Sequence, residues 1–171
     1  MESPMILYHP LKDANHCIYR IISILVKSPS EISLERLRVI DFYHVFPHLL
    51  ALILPWPSDI KEYKKYTKNI PPSFEAIPDK RRLFYELSAI HTQSILTLVS
   101  KGILDKDSVK AGIAKLNKKT IPEKILTTIE NDEYNNSKIF EVLTKGLTVT
   151  SWTGRNGFKD RSGLMEFIYD E

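Results

Sequence analysis

Hydrophobic positions along the chain recur mainly at helical spacing. After a short apolar run at Met5 to Tyr8, expected to be extended or an edge strand, Asp13 stands where a helix N-cap belongs. Beyond it Cys17, Ile18, Ile21, Ile22, Leu25 and Val26 fall at i, i+1, i+4, i+5, i+8 and i+9, one broad apolar face of a helix ended by Ser28-Pro29-Ser30. Ser33 is placed to cap a second helix, with Leu34, Leu37, Ile40 and Asp41 on one face. Pro47 has no amide hydrogen and crowds the preceding turn, so this helix should stop or kink near His44. Pro55-Trp56-Pro57 is a break, and Ser58-Asp59 restarts a short polar helix to about Lys68. Pro71, Pro72 and Pro78 bound an irregular stretch anchored by Phe74 and Ile77. Within a single domain over 1–171, the proline-rich stretch 55–78 is where a sub-domain junction is expected.

The longest periodic segment runs from about Asp79 to Lys101. Its stripe is Leu83, Leu87, Ile90, Ser94 and Leu98, flanked by Phe84, His91, Ile95 and Val99, with Gly102 as a C-terminal cap and a short strand after it. Shorter helices are expected over 107–116, 121–130 and 136–145. Past Gly146 the pattern changes. L-T-V-T-S-W alternates as a strand does, G-R-N-G reads as a turn, and the stretch from Phe158 can return as a second strand. The expected fold is mostly α: a compact helical domain with a small C-terminal β-hairpin, an element that a winged-helix module would also carry.

Composition narrows the classes without naming one. With 171 residues, 43% apolar and 26% charged, the chain can bury a core without a disulfide or metal. One cysteine and an N-terminus without a secretory pattern point to a reducing cytoplasm, and no apolar run approaches the ~20 residues of a membrane span. The net charge of +3 allows, without demanding, contact with nucleic acid or an acidic partner.

Candidate chemistry is sparse. Asp41, His44 and His48 have metal-like spacing, but Pro47 lies between the histidines and the glutamate of a zinc-protease helix is missing. His16 and Cys17 are neighbours on a helix and point apart, and Cys17 lies on the apolar face. Ser88 and His91 sit at i, i+3 with no oxyanion-type glycine turn before the serine. No catalytic residue, metal or cofactor is expected. An Arg38–Asp41 ion pair, with Arg20 near it, is expected to join the first two helices, because a buried carboxylate needs a partner.

Cations make the more serious pattern. Lys61, Lys64, Lys65 and Lys68 recur at i, i+3, i+4 and i+7 beside Tyr63 and Tyr66, and the terminal hairpin adds Arg155, Lys159 and Arg161 around Phe158. Together they are candidates for contact with nucleic acid.

Three segments also carry a family resemblance: M-I-L-Y-H-P with D-A-N-H-C-I-Y-R-I-I-S-I-L, then L-E-R-L-R-V-I-D-F-Y-H-V-F-P-H-L-L, and G-F-K-D-R-S-G-L-M-E-F-I-Y-D near the end. They resemble the small middle components of bacterial ABC-three-component systems, the Lamassu-type antiphage operons. The resemblance implies a cytoplasmic, non-enzymatic adaptor between an SMC/Rad50-like ABC ATPase and an effector subunit, commonly a nuclease. It also implies basic residues that help grip double-stranded DNA within the complex. Candidate partner contacts, chosen because aromatics and arginine dominate interface energetics, are Phe42, Phe46, Trp56, Trp152, Phe158 and Arg161. The rival expectation is a free-standing, winged-helix-like DNA-binding regulator.

Overall fold

The computed structural model describes residues 13–72 and 79–165. The expected strand at Met5 to Tyr8, the anchors Phe74 and Ile77, and the end of the expected hairpin lie outside these residues. Helices dominate. The first, α1 (Ala14–Lys27), begins at Asp13, whose carboxylate accepts from the Asn15 amide at 2.8 Å. The second, α2 (Leu34–Val45), is capped by Ser33, whose hydroxyl accepts from Arg36 N at 3.1 Å, and it ends two residues before Pro47. The third, α3 (Lys80–Ser100), is capped by Asp79 and leaves through Gly102 at φ +71°, a conformation that costs a residue with a Cβ. Residues 13–45 and 79–102 therefore follow the pattern of caps and breaks in the sequence.

These three helices pack on one another, α1 against α3 most extensively and α2 against both. Leu37 and every residue from Val39 to Tyr43 are buried, so α2 has core on several sides instead of one apolar stripe. Phe42 meets Tyr43, Phe46 and Phe84 at ring-centre distances of 5.5, 5.2 and 5.9 Å. Phe42 and Phe46, candidates for partner contact by residue type, belong to this core.

The charge pair in the core differs from the expected one. Asp41 is held by Arg20 of α1, not by Arg38: Arg20 Nε donates to Asp41 Oδ1 at 2.6 Å and Nη2 to Oδ2 at 3.1 Å, a two-pronged contact between nearly inaccessible side chains. Arg38 lies over the Phe84 ring at 4.8 Å and donates to Ser88 Oγ. Helical spacing puts Arg38 within reach of Asp41 along one helix, but α1 brings a second guanidinium to both carboxylate oxygens at once.

After α2 the chain makes two 3-10 segments, Pro47–Leu52 and Ser58–Thr67, separated by the Pro55-Trp56-Pro57 break. Trp56 is buried and its indole N–H donates to Ile60 O at 2.9 Å. After α3 come α4 (Lys106–Lys110), β2 (Ile113–Ala114), α5 (Glu123–Asn131) and α6 (Lys138–Glu141), the last running into a wider π turn, Val142–Gly146. The sheet among the described residues is one antiparallel pair, β1 (Ile32–Ser33) against β2, with Ile32 opposite Ala114.

Among the described residues the expected C-terminal β-hairpin is not formed: residues 147–157 are turns and bends, and the start of the expected return strand is a one-turn helix, α7 (Phe158–Ser162). Alternation survives only from Thr148 to Thr150, with both threonines buried and Val149 exposed, while Leu147 is buried beside Thr148. Thr148 Oγ1 donates to Thr144 O at 2.6 Å and Thr150 Oγ1 donates to Asp59 at 2.7 Å. Side-chain bonds of this kind compete with a ladder. Phe158 is drawn into the core, 6.0 Å from the Tyr43 ring, which removes the partner strand.

Two outcomes follow from the core charges. Asp41→Asn keeps the volume but leaves the Arg20 guanidinium buried opposite a neutral amide. It should cost about 3 kcal/mol in chemical denaturation, whereas the paired replacement Arg20→Met with Asp41→Leu should cost much less. The second concerns acid. Burial lowers the His91 pKa from 6.5 to about 4, against an opposing pull from Asp41 and with help from Arg38 and Arg20. A folded-state value below the unfolded one means that protons favour unfolding. The stability held by neutral His91 is complete above pH 6.5 and declines as the pH falls towards 4, by up to about 3 kcal/mol. Urea midpoints measured from pH 7.5 to 5 should fall accordingly, and His91→Phe should make that fall shallower without abolishing it, because burial lowers His44 to about 4 as well.

Candidate interaction surface

The segment from Leu147 to Met165 is tied to three separate parts of the fold. Arg36 of α2 donates to Leu147 O at 3.4 Å and to Thr148 O, and its guanidinium lies 5.0 Å from the centre of the Trp152 ring. Glu35, also on α2, accepts from Trp152 Nε1 at 3.2 Å and Lys159 Nζ at 2.5 Å. From the start of α3, Lys80 Nζ donates to Ser162 O and Arg81 Nε to Gly163 O, both at 2.9 Å. Asp59, in the second 3-10 segment, accepts from Thr150 Oγ1 and, at 2.9 Å, from Ser151 N.

The loop itself turns tightly. Gly157 N donates to Gly154 O at 3.0 Å, and Phe158 N donates to Ser151 O at 2.8 Å. A Cβ on Gly157 would stand 2.3 Å from Trp152 O and 2.5 Å from Thr153 O, so the turn admits no side chain there without moving backbone. The G-R-N-G turn is real, but it leads into α7 and not a strand.

This loop is a ridge between two clefts. One, of about 530 Å³, is lined by Trp152, Thr153, Arg155, Lys159, Asp160 and Met165. The other, of about 360 Å³, lies towards Ser58, Asp59, Asn156 and Arg161, with Thr153 bordering both.

The electrostatics are more balanced than the sequence suggests. Burial works against the Glu35 carboxylate, but Lys159 and the Trp152 indole N–H outweigh it and hold its pKa below the usual range. Burial works against the Asp59 carboxylate as well, but the Ser151 amide and the Thr150 hydroxyl together outweigh it and hold it low. Arg161 donates from Nε to Asn156 O at 2.6 Å and from Nη1 to Pro55 O. Of the three cations expected on the hairpin, Lys159 and Arg161 are engaged within the chain, and Arg155 is exposed on the rim.

The lysine-rich segment also changes on folding. Ser58–Thr67 consists of 3-10 turns interrupted by a kink at Ile60 (φ −127°, ψ 34°), so no single 3.6-residue stripe runs through it. Ile60 and Thr67 are buried and Tyr63 and Tyr66 half-buried, and these four make the inward side. Lys61, Lys64 and Lys65 are exposed on the outward side, and Lys68 is exposed just past the end. The single α-helical stripe becomes a broader basic face. Tyr66 carries Lys65 at 5.0 Å and Lys138 of α6, itself paired with Glu141 at 3.0 Å, at 5.7 Å from its ring centre.

Among the aromatic partner candidates, Phe42, Phe46, Trp56 and Phe158 are buried, and Trp152 is half-buried at the first cleft. The four buried rings make internal contacts. The groups weighed for catalysis are also placed. Burial, with Asp41 beside it, raises the Cys17 thiol to about 11. Burial lowers the His44 ring to about 4, and that ring packs at 4.7 Å from Tyr134 and 5.7 Å from Phe140. Ser88 Oγ donates to Phe84 O at 3.0 Å and accepts from Arg38. Among the described residues no three of His, Cys, Asp and Glu are grouped as metal ligands would be. No described helix is long and apolar enough to cross a membrane.

Sequence reasoning missed Glu35, Arg36 and Asp59, which position the loop. Each acts on residues 91 to 124 positions away and carries no local signal beyond its charge.

No curated protein and no solved structure matches this chain. Residues 6–170 do match one family model, described as ABC-three component (ABC-3C) system Middle Component 5. A match over nearly the whole length agrees with the resemblance carried by α1, α2 and the C-terminal segment, and the chain belongs to the family of ABC-3C middle components.

Proposed function

We propose that this protein is a non-enzymatic adaptor in an antiphage defence system of the Lamassu type. In this reading it bridges an SMC/Rad50-like ABC ATPase and an effector subunit with nuclease activity, in the cytoplasm. The observation that carries the proposal is the family match across residues 6–170, since a middle component implies other components to contact. The disposition of polar groups supports it. Asp41, Ser88, His44 and Cys17 are engaged or neutralised inside the fold, while exposed lysines and two open clefts offer surface for contact.

Within the assembly, Lys61, Lys64, Lys65 and Lys68 are proposed to lie against the DNA backbone. They project from a segment whose inward side is anchored, and lysine acts on phosphate as a point charge without needing a shaped pocket. The regulator reading depended on a C-terminal wing. That segment forms a loop and α7, so the adaptor reading is preferred.

Two measurements test this. Co-expressed with the products of neighbouring genes, the chain should co-purify with a large ATPase subunit in fixed, near-equal stoichiometry. A chain that elutes alone while ATPase and effector pair without it would overturn the adaptor role. Replacing Lys61, Lys64, Lys65 and Lys68 with alanine should leave the fold intact and weaken DNA retention by the assembled complex. The salt dependence of binding should then flatten by about 0.9 in log–log slope for each lysine that touches phosphate. An unchanged slope would remove this face from DNA contact.

A further inference from the structure

Among the described residues, the larger cleft presents one cation without a partner beside an aromatic wall already held in place. Arg155 is exposed on the rim and makes no hydrogen bond or ion pair with another described residue. Beside it, the Trp152 ring is fixed before any ligand arrives, by its bond to Glu35 and by the Arg36 guanidinium over its face. Met165 adds apolar surface, and the tight turn at Gly157 fixes the loop that carries both Trp152 and Arg155. The volume, about 530 Å³, suits a few side chains.

We propose that this cleft docks an acidic, partly apolar peptide segment of a partner protein, with Arg155 as the carboxylate anchor and Trp152 and Met165 as the apolar wall. An arginine fork matches a carboxylate in two bonds, and a wall that is already ordered lowers the entropic cost of binding. Charge argues for a peptide over a duplex. Around this loop Arg155, Lys159 and Arg161 alternate with Glu35, Asp59 and Asp160. Duplex DNA carries a phosphate for about every 1.7 Å of its axis and would pass carboxylates as well as cations. A peptide carboxylate needs only one cation, and Arg155 is without a partner among the described residues, although the exposed Asp160 carboxylate lines the same cleft. The proposal rests on the adaptor reading for the existence of a partner, but not for the chemistry of the cleft.

The test is a titration of the full chain with a synthetic peptide of alternating glutamate and leucine, followed by tryptophan fluorescence. The chain has two tryptophans, of which Trp152 lines the cleft and Trp56 is buried. A saturable change is expected, about tenfold weaker for Arg155→Glu, partly restored by Arg155→Lys, and unaltered by Lys61→Ala. Arg155 is exposed, so these variants should fold, which circular dichroism checks. No response at millimolar peptide, an equal response to a glutamine–leucine peptide, or full affinity in Arg155→Glu would overturn the proposal. So would a duplex oligonucleotide that displaces the peptide through Arg155. A chain that binds the peptide through Arg155 yet fails to co-purify with an ATPase would keep this inference and sink the adaptor role. Co-purification without peptide binding would do the reverse.

Discussion

A guanidinium–carboxylate fork in the middle of the protein constrains the rest. Taking Arg20 and Asp41 out of water is costly, and only near-ideal geometry with both prongs made can offset that cost. The pair therefore allows little latitude in how α1 lies against α2. A small slide would break one prong and strand a charge where water cannot reach. Burial would push the Asp41 carboxyl up, but Arg20 outweighs it and holds its pKa below the ordinary range, so the pair stays charged at neutral pH. The neighbouring histidines see one compensated pair and not a naked anion, and burial keeps both rings neutral.

Because α2 is fixed in this way, whatever hangs on it is fixed too. Its first turn supplies Glu35 and Arg36, which hold Trp152, Lys159 and the carbonyls of Leu147 and Thr148. Its far side supplies Tyr43, against which Phe158 packs. The C-terminal loop is remote in sequence from α2 but is a surface feature of the core helix in space. A recognition surface on such a platform is preorganised: the Trp152 ring and the loop backbone are ordered before binding, so less entropy is lost when a partner arrives.

Local signals were legible and long-range ones were not. Asp13, Ser33, Asp79 and Gly102 mark helix ends through bonds they make to their own neighbours, and those ends fall where the residues place them. The lysine segment was read as one α-helical turn pattern because a run of lysines and tyrosines does not distinguish a continuous α-helix from 3-10 turns broken by a kink. The identity of the inward side, Ile60, Tyr63, Tyr66 and Thr67, emerges only when that segment packs. The hairpin failed for a related reason. Alternation at Thr148, Val149 and Thr150 is a genuine burial pattern, but a strand also needs a partner, and tertiary packing of Phe158 took that partner away. The choice of Arg20 over Arg38 for Asp41 is of the same kind, decided by how two helices meet.

The same packing changes what the basic residues can do. Read along the chain, Arg155, Lys159 and Arg161 are a cluster of three positive charges around an aromatic, which is how a nucleic-acid-binding wing looks. In the fold, Lys159 is paired with Glu35, and Arg161 is bonded to the carbonyls of Asn156 and Pro55. A lysine within 2.5 Å of a carboxylate contributes little far field, because at a few ångströms' distance the two charges act as a dipole. The long-range positive potential therefore shifts towards Lys61, Lys64, Lys65 and Lys68, which are exposed on a different segment. Two surfaces that look alike in sequence thus differ in physical kind: the lysine face suits a diffuse polyanion, and the C-terminal loop suits a discrete carboxylate. In the adaptor role proposed for this chain, that difference would let contacts be made at separate places without competing.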